Sequence, residues 1–411
     1  MSEILASVYR LMERTGLKEG ILFLDEINCV SETLAPMMLQ FLQCKTFGNQ
    51  ALPEGWLIVA AGNPPEYNKS VRDFDVVTLD RVKRIDVEED YGVWKEYARR
   101  KNLHGAILSY LDIKKDNFYR IENTADGLQF ATARGWEDLS ELLYAYEKLG
   151  IRADREVVGQ YIQMPRIAKD FANYLELFYK YQKTYHVEGI LAGTWENITV
   201  LELREAPFDE KLSVMGLVLS RLSEEARNTR RQDALTDALH TALTEFREKI
   251  ADAPPLTVLD QLLWKRRTAM KQAKEAGQLD RESRDLRQRE INALEDYRQR
   301  LDREAAAPEG AMDAVRGWFA EEVQRRKELA EAAKAMFDNA FRFLETTFGQ
   351  GQELVIFVTE ITAGYDTSWF VEQFGCDAYF RHNRELLFDS TRHRIREEIT
   401  AAKAAEQEEH T

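Results

Sequence analysis

Four short patterns in this chain hold side chains suited to handling phosphate. The first is Ile21-Leu22-Phe23-Leu24-Asp25-Glu26, an apolar run that ends in two carboxylates. At the C-terminal edge of a buried strand, Asp25 can hold Mg²⁺, normally through water, and Glu26 can polarise an attacking water. The same pair also suits the solvated end of a core strand. The second is Asn63, in Ala60-Ala61-Gly62-Asn63-Pro64. Its carboxamide can orient a lytic water or touch a γ-phosphate, although Asn before Pro is an ordinary turn residue too. The third is Leu79-Asp80-Arg81-Val82-Lys83-Arg84. A guanidinium there can reach a phosphate on a neighbouring subunit, or pair with Asp80 or Asp86 at the surface. The fourth is Ala131-Thr132-Ala133-Arg134-Gly135-Trp136-Glu137-Asp138-Leu139. Arg134 stands just ahead of a helix, facing either a ligand cleft or solvent.

The elements that must position these groups are legible in the hydrophobic spacing. Ile4, Val8, Leu11 and Met12 recur at helical intervals, and Gly16 follows as a stop. Gly20 to Glu26 then reads as a short buried strand. Residues 32–43 return to helical spacing, and Trp56 to Ala61 form a second buried strand that Gly62-Asn63-Pro64-Pro65 ends. A third strand is expected around Arg84 to Val87. From about 90 to 150 the pattern is helical, closed by Gly150. Residues 155–185 read as one long aromatic-rich helix, with Phe171, Tyr174, Phe178 and Tyr179 as core or interface residues. Residues 210–347 are almost wholly helical. Within them, Leu279, Leu286, Leu294 and Leu301 in a highly charged stretch suggest an antiparallel hairpin or short coiled coil. Leu354 to Val358 read as a late strand.

Taken together, strand–Asp-Glu, strand–Asn, Arg and helix-start Arg occur in the order and rough spacing of one family. Over residues 1 to about 150 the chain resembles the AAA+ ATPases, and within them the MoxR-like group. Gly20 to Glu26 looks like Walker B, and Asn63 falls where sensor 1 sits. Leu52-Pro53-Glu54-Gly55-Trp56 before the second strand also looks MoxR-like. Asp80-Arg81 is similar to the Asp-Arg-Phe arginine-finger motif, with Val82 in place of the Phe, and Arg134 sits where sensor 2 opens a lid helix. The resemblance implies a fold that is α/β followed by mostly α. It implies a partial AAA+ core over 1–95 and a helical lid over 96–150. A helical extension over 151–347 and a small mixed region over 348–411 would follow. It further implies ATP and Mg²⁺ as ligands. Asp25 would hold the ion, Glu26 activate water, and Asn63 position it. Arg81 would act across a subunit interface, and Arg134 would sense the γ-phosphate. The expected partners are further copies of the chain or intact AAA+ subunits, and a remodelling substrate, often a protein with a von Willebrand A-type domain.

One part of the family pattern is missing. The phosphate loop GxxxxGK[ST] supplies a backbone N–H cradle and a lysine, yet this chain has no Gly-Lys dipeptide, and only about 20 residues precede the Walker B-like strand. The expectation is a core truncated ahead of that strand, inactive on its own and with apolar sheet edges left open to other chains. A non-catalytic subunit, or a helical scaffold built on the later residues, is the alternative.

Bulk properties narrow the partners. With a net charge of −15, the chain gains nothing from counterion release on DNA and is repelled by anionic membranes. Cys29, Cys44 and Cys376 are scattered, which argues against a disulfide framework or a zinc site and suits a reducing cytoplasm. No apolar run reaches the roughly 18 residues of a membrane span. Lys265-Arg266-Arg267 read as one solvated helix face, and His382 and His393 as ordinary surface residues.

Overall fold

The computed structural model describes residues 3–31, 33–63, 80, 82–124, 127–304 and 308–386. In chain order it begins with α1 (Glu3–Thr15), β1 (Gly20–Leu24), α2 (Ala35–Cys44), β2 (Thr46–Phe47), β3 (Gln50–Ala51) and β4 (Trp56–Ala60). Then come α3 (Tyr91–Lys101), α4 (Gly105–Ile113), β5 (Arg120–Thr124), β6 (Gly127–Ala131) and α5 (Ala133–Leu149). The rest is helical: α6 (Arg155–Tyr161), α7 (Pro165–Thr184), α8 (Val187–Ala192), α9 (Asn197–Glu205), α10 (Phe208–Lys249), α11 (Pro255–Glu275), α12 (Arg281–Glu304), α13 (Pro308–Phe348), α14 (Gln352–Ala363) and α15 (Tyr365–Phe374). The protein is thus mostly helical with a few small sheets. It forms two compact units, Met1–Glu88 with Thr244–Ala311 and Glu89–Leu243 with Met312–Thr411.

In the first unit β1 and β4 pair in parallel, from Gly20 opposite Trp56 to Leu24 opposite Ala60. Side chains alternate across a strand, so Leu22, Leu24 and Ile58 join one core with Leu5, Val8, Phe41 and Trp56. Trp56 lies over Gly20 so closely that a Cβ there would come within 2.9 Å of the indole. The opposite face is open: Ile21, Phe23 and Leu57 are 65%, 57% and 55% exposed. Parallel sheets are ordinarily covered on both faces, so this one is half-dressed. In the same unit α11 and α12 form the expected antiparallel hairpin, turning at Gly277 (φ +68°). Leu259, Leu262 and Leu263 are buried on α11, as are Ile291, Leu294, Tyr297 and Leu301 on α12. Lys265, Arg266 and Arg267 bind carboxylates within this unit, including Arg266 to Glu290 at 2.7 Å and Lys265 to Glu245 at 2.8 Å.

The second unit holds the larger core. Tyr110 on α4, Trp136 on α5 and Phe171 on α7 are essentially inaccessible. Tyr110 and Trp136 meet Phe171 edge-on at 5.1 and 5.3 Å, and the Trp136 Nε1–H donates to the Phe118 carbonyl at 3.0 Å. Fully burying rings of this size stabilises a fold by about 2–3 kcal/mol each. Phe171 and Phe178 are therefore core residues, as their spacing predicts, and Tyr174 and Tyr179 pack partly buried against them.

Five local expectations are corrected. Leu354 to Val358 belong to helix α14: Leu354, Phe357, Val358 and Ile361 are buried at helical spacing, and a short apolar run does not by itself distinguish a strand from a buried helix. Residues 84–87 form no strand, and Ile85 and Val87 lie 83% and 90% exposed without a ladder partner. The 90–150 block is not all helix, because β5 and β6 form an antiparallel hairpin within it. The long helix over 155–185 is two, since Pro165 opens α7 and breaks it from α6. His382, expected at the surface, is buried and bonded by Nε2 to Glu345 at 2.6 Å; His393 lies outside the described residues.

Candidate functional site

Because β1 and β4 are parallel neighbours in register, their C-terminal ends fall at one edge of the sheet. Asp25 and Glu26 follow β1 directly, and Asn63 follows β4 after Ala61 and Gly62. Two backbone bonds hold the ends together: Ala61 N–H donates to the Leu24 carbonyl and Ile27 N–H to the Ala61 carbonyl, each at 2.9 Å. Both acids are exposed. One Asp25 oxygen accepts from the Glu26 N–H at 3.0 Å, which turns the carboxylate back on its own backbone.

Glu26 has a left-handed backbone, with φ +50° and ψ +41°, at the start of a single 3₁₀ turn, Ile27–Cys29. A non-glycine residue there costs about 1–2 kcal/mol, and such strain concentrates at working sites. The sequence reading passed over Asn28. Its Nδ2–H donates to the Asn63 carbonyl at 2.7 Å, linking the loop after β1 to the loop after β4. Its Oδ1 is buried without a hydrogen-bond partner, and it lies so close to Gly62 that a Cβ there would sit 2.7 Å away. The signal for this residue was its place, three positions after Asp25 in Asp-Glu-Ile-Asn.

Asp25, Glu26 and Asn63 are therefore brought to one edge. Arg81 lies outside the described residues. Arg134 is exposed in the first turn of α5, in the second unit; that helix is capped by Thr132, whose Oγ1 accepts from the Gly135 N–H at 3.2 Å. The donor set at the β1–β4 edge, two carboxylates and a carboxamide, consists of hard oxygens of the kind Mg²⁺ takes, so these residues fit the ion. The sequence supplies no phosphate loop to accompany them.

Two charge clusters in the second unit escaped sequence reading altogether, because the central carboxylate of each lies more than a hundred residues from the cations it holds. In the first, Glu360 on α14 receives Lys95 at 2.8 Å and also Arg99, while Lys95 reaches Asp112 at 2.5 Å. Burial pushes the Glu360 carboxyl up, but the Lys95 and Arg99 charges outweigh it and hold the group below the ordinary carboxylate range. Tyr91 donates to Asp112 at 2.7 Å, and burial, reinforced by that carboxylate, drives its phenol far above the usual value. In the second cluster Asp366 divides its two oxygens between Arg227 Nε and Arg230 Nε, both at 2.8 Å.

No protein-family model, curated protein or solved structure matches the chain. Among the described residues no helix is long and apolar enough to cross a membrane.

Proposed function

We propose that this chain is a subunit of a MoxR-like AAA+ assembly, in which ATP hydrolysis drives the remodelling of a partner protein. The observation that supports this best is the parallel pairing of β1 with β4, which sets Asp25, Glu26 and Asn63 at one sheet edge. Ligands of open α/β sheets sit beyond the carboxyl ends of the strands. Asp25 would hold Mg²⁺ through water, and the ion would neutralise phosphate charge when bound. Glu26 would take a proton from the attacking water, and Asn63 would orient that water through its carboxamide. Arg81 as a finger in trans and Arg134 as a γ-phosphate sensor rest on resemblance to the family. The direct test is binding of a fluorescent ATP analogue, with Mg²⁺, to the chain and to Glu26→Gln. Saturable binding at micromolar nucleotide is the expected result if the chain handles ATP itself. No binding up to about 1 mM, a free energy weaker than about 4 kcal/mol, would end that claim for the chain alone.

A second reading is favoured by the open sheet face at Ile21, Phe23 and Leu57. Here the chain is a non-catalytic subunit whose sheet is completed by an intact AAA+ subunit and whose Arg81 serves the neighbour's ATP. Mixing the chain with an intact MoxR-like ATPase should then raise that enzyme's turnover, and Arg81→Ala should not. An unchanged rate with both versions counts against it.

A further inference from the structure

Helices α3, α4, α10, α14 and α15 of the second unit line a cavity of about 100 Å³. A water needs about 10–15 Å³ of such space, so there is room for roughly seven non-hydrogen atoms. Leu108, Leu212, Met215 and Leu219 give the cavity an apolar wall. The charged groups in the wall are Arg99, Asp112 and Glu360, and all three are already partnered. Glu360 holds Arg99 with one oxygen and Lys95, at 2.8 Å, with the other. Asp112 takes Lys95 at 2.5 Å and the Tyr91 hydroxyl at 2.7 Å. Two cations thus balance two carboxylates. An acid entering this site would face both carboxylates, and an amine would bring its charge up to Lys95 and Arg99. Either ion would also lose its hydration without gaining an unpaired counter-charge. An uncharged ligand avoids these costs.

What the wall does offer is hydrogen bonding. Ser220 and Ser223 stand three residues apart on α10, so they share one face of that helix, and both line the cavity half-buried. Ser220 lies against Gly105, another wall residue, where a Cβ would come within 3.0 Å of its Oγ. A helical serine can turn its hydroxyl back on the carbonyl four residues earlier. Ser109 does so to Gly105 at 2.8 Å and Ser213 to Asp209 at 2.7 Å. Ser220 and Ser223 do not, and among the described residues neither hydroxyl has a hydrogen-bond partner. Two hydroxyls at an apolar cavity, with no bond of their own, are the groups a small polar head would meet.

We propose that this cavity binds a small uncharged alcohol, whose hydroxyl bonds to Ser220 or Ser223 and whose hydrocarbon part lies against Leu108, Leu212, Met215 and Leu219. A hydroxyl suits these serines because each side of the pair can donate and accept. The apolar wall then holds the chain, and the balanced charges of Lys95, Arg99, Asp112 and Glu360 select against both acids and amines of the same shape.

The test is calorimetric titration of the full chain with hexanol, beside hexanoate and hexylammonium. Expected are saturable binding of one hexanol per chain and at least about tenfold weaker binding of both ions. Ser223→Leu places a branched side chain in the cavity wall and should abolish binding while leaving the circular dichroism spectrum unchanged. The milder pair Ser220→Ala with Ser223→Ala keeps the space but removes both hydroxyls, and should weaken hexanol about fivefold. Equal or tighter binding of either ion, undiminished hexanol binding in the folded double-alanine variant, or no saturable binding of hexanol up to about 10 mM would each overturn the proposal.

Discussion

Asn28 reaches across from the loop after β1 and bonds the carbonyl of Asn63, 2.7 Å away, at the end of β4. This bond ties the residue that would position water to the loop that carries the two acids. Replacing Asn28 with Ala removes it and leaves the Asn63 carbonyl to water. Stability of the first unit should fall by about 1 kcal/mol. Amide exchange at Ile27 and Ala61, whose bonds close the same edge, should speed up several-fold. Unchanged exchange at both amides would show that the edge is held without Asn28.

Glu26 offers a different kind of test, because its backbone is left-handed. Glycine takes that conformation without the Cβ clash. Glu26→Gly should therefore raise the urea midpoint by the equivalent of about 1 kcal/mol, even as the carboxylate is lost. Glu26→Gln should leave the midpoint where it was. A stability gain paired with lost nucleotide response would mark strain held in place by function; a loss of stability in the glycine variant would refute the strain.

The Lys95–Glu360–Arg99 cluster predicts a pH dependence. With its folded pKa held low, Glu360 binds a proton more readily in the unfolded chain than in the folded one. Its contribution to stability is therefore present above the unfolded value of about 4.3, and disappears as pH falls through the lower folded value. Melting of the second unit should show an acid-side decline that is shallower in Glu360→Gln, followed between about pH 5 and pH 3. At pH 7, Lys95→Met should cost about 3 kcal/mol, since it leaves Glu360 and Asp112 short of a cation in a mostly buried site. Parallel acid transitions in wild type and Glu360→Gln would remove Glu360 from the account.

The open face of β1 and β4 predicts self-association. Phe23→Ser and Leu57→Ser act on side chains more than half exposed, so each should cost less than about 0.5 kcal/mol. Together they should reduce concentration-dependent association, followed by sedimentation velocity. If the double variant sediments like the parent at every concentration, that face is not sticky in solution.

Much of the site's frame was legible in the sequence because it is local. A four-residue apolar run ending in Asp25-Glu26, and another ending before Asn63, need only neighbours to be read as strands. The parallel register that joins them is not local, and neither run carries a signal for it. Asn28 was missed because a single polar residue in a turn carries no periodic signal. Leu354 to Val358 misled because valine and isoleucine favour strands, whereas tertiary packing buries Leu354, Phe357, Val358 and Ile361 along one side of a helix. The hairpin of β5 and β6 was hidden inside helical surroundings, though Gly127, at φ +116°, follows an aspartate in a turn-prone dipeptide. The clusters around Glu360 and Asp366 have no sequence signature, because their members meet only after α3, α10, α14 and α15 have packed.

Each of the two units is assembled from two separate stretches of chain, and this sets a timetable for synthesis. Met1–Glu88 leaves the ribosome roughly 150 residues before Thr244–Ala311 begins to appear. At about 5–20 residues per second the early strands wait roughly ten to forty-five seconds for the helical hairpin that completes their unit. Over that interval Ile21, Phe23 and Leu57 belong to an unfinished domain, open to chaperones and to other nascent copies. The same wiring means that a proteolytic cut between residues 89 and 243 parts the two stretches of the first unit and also splits the first stretch of the second, so a single nick in that span would loosen both units.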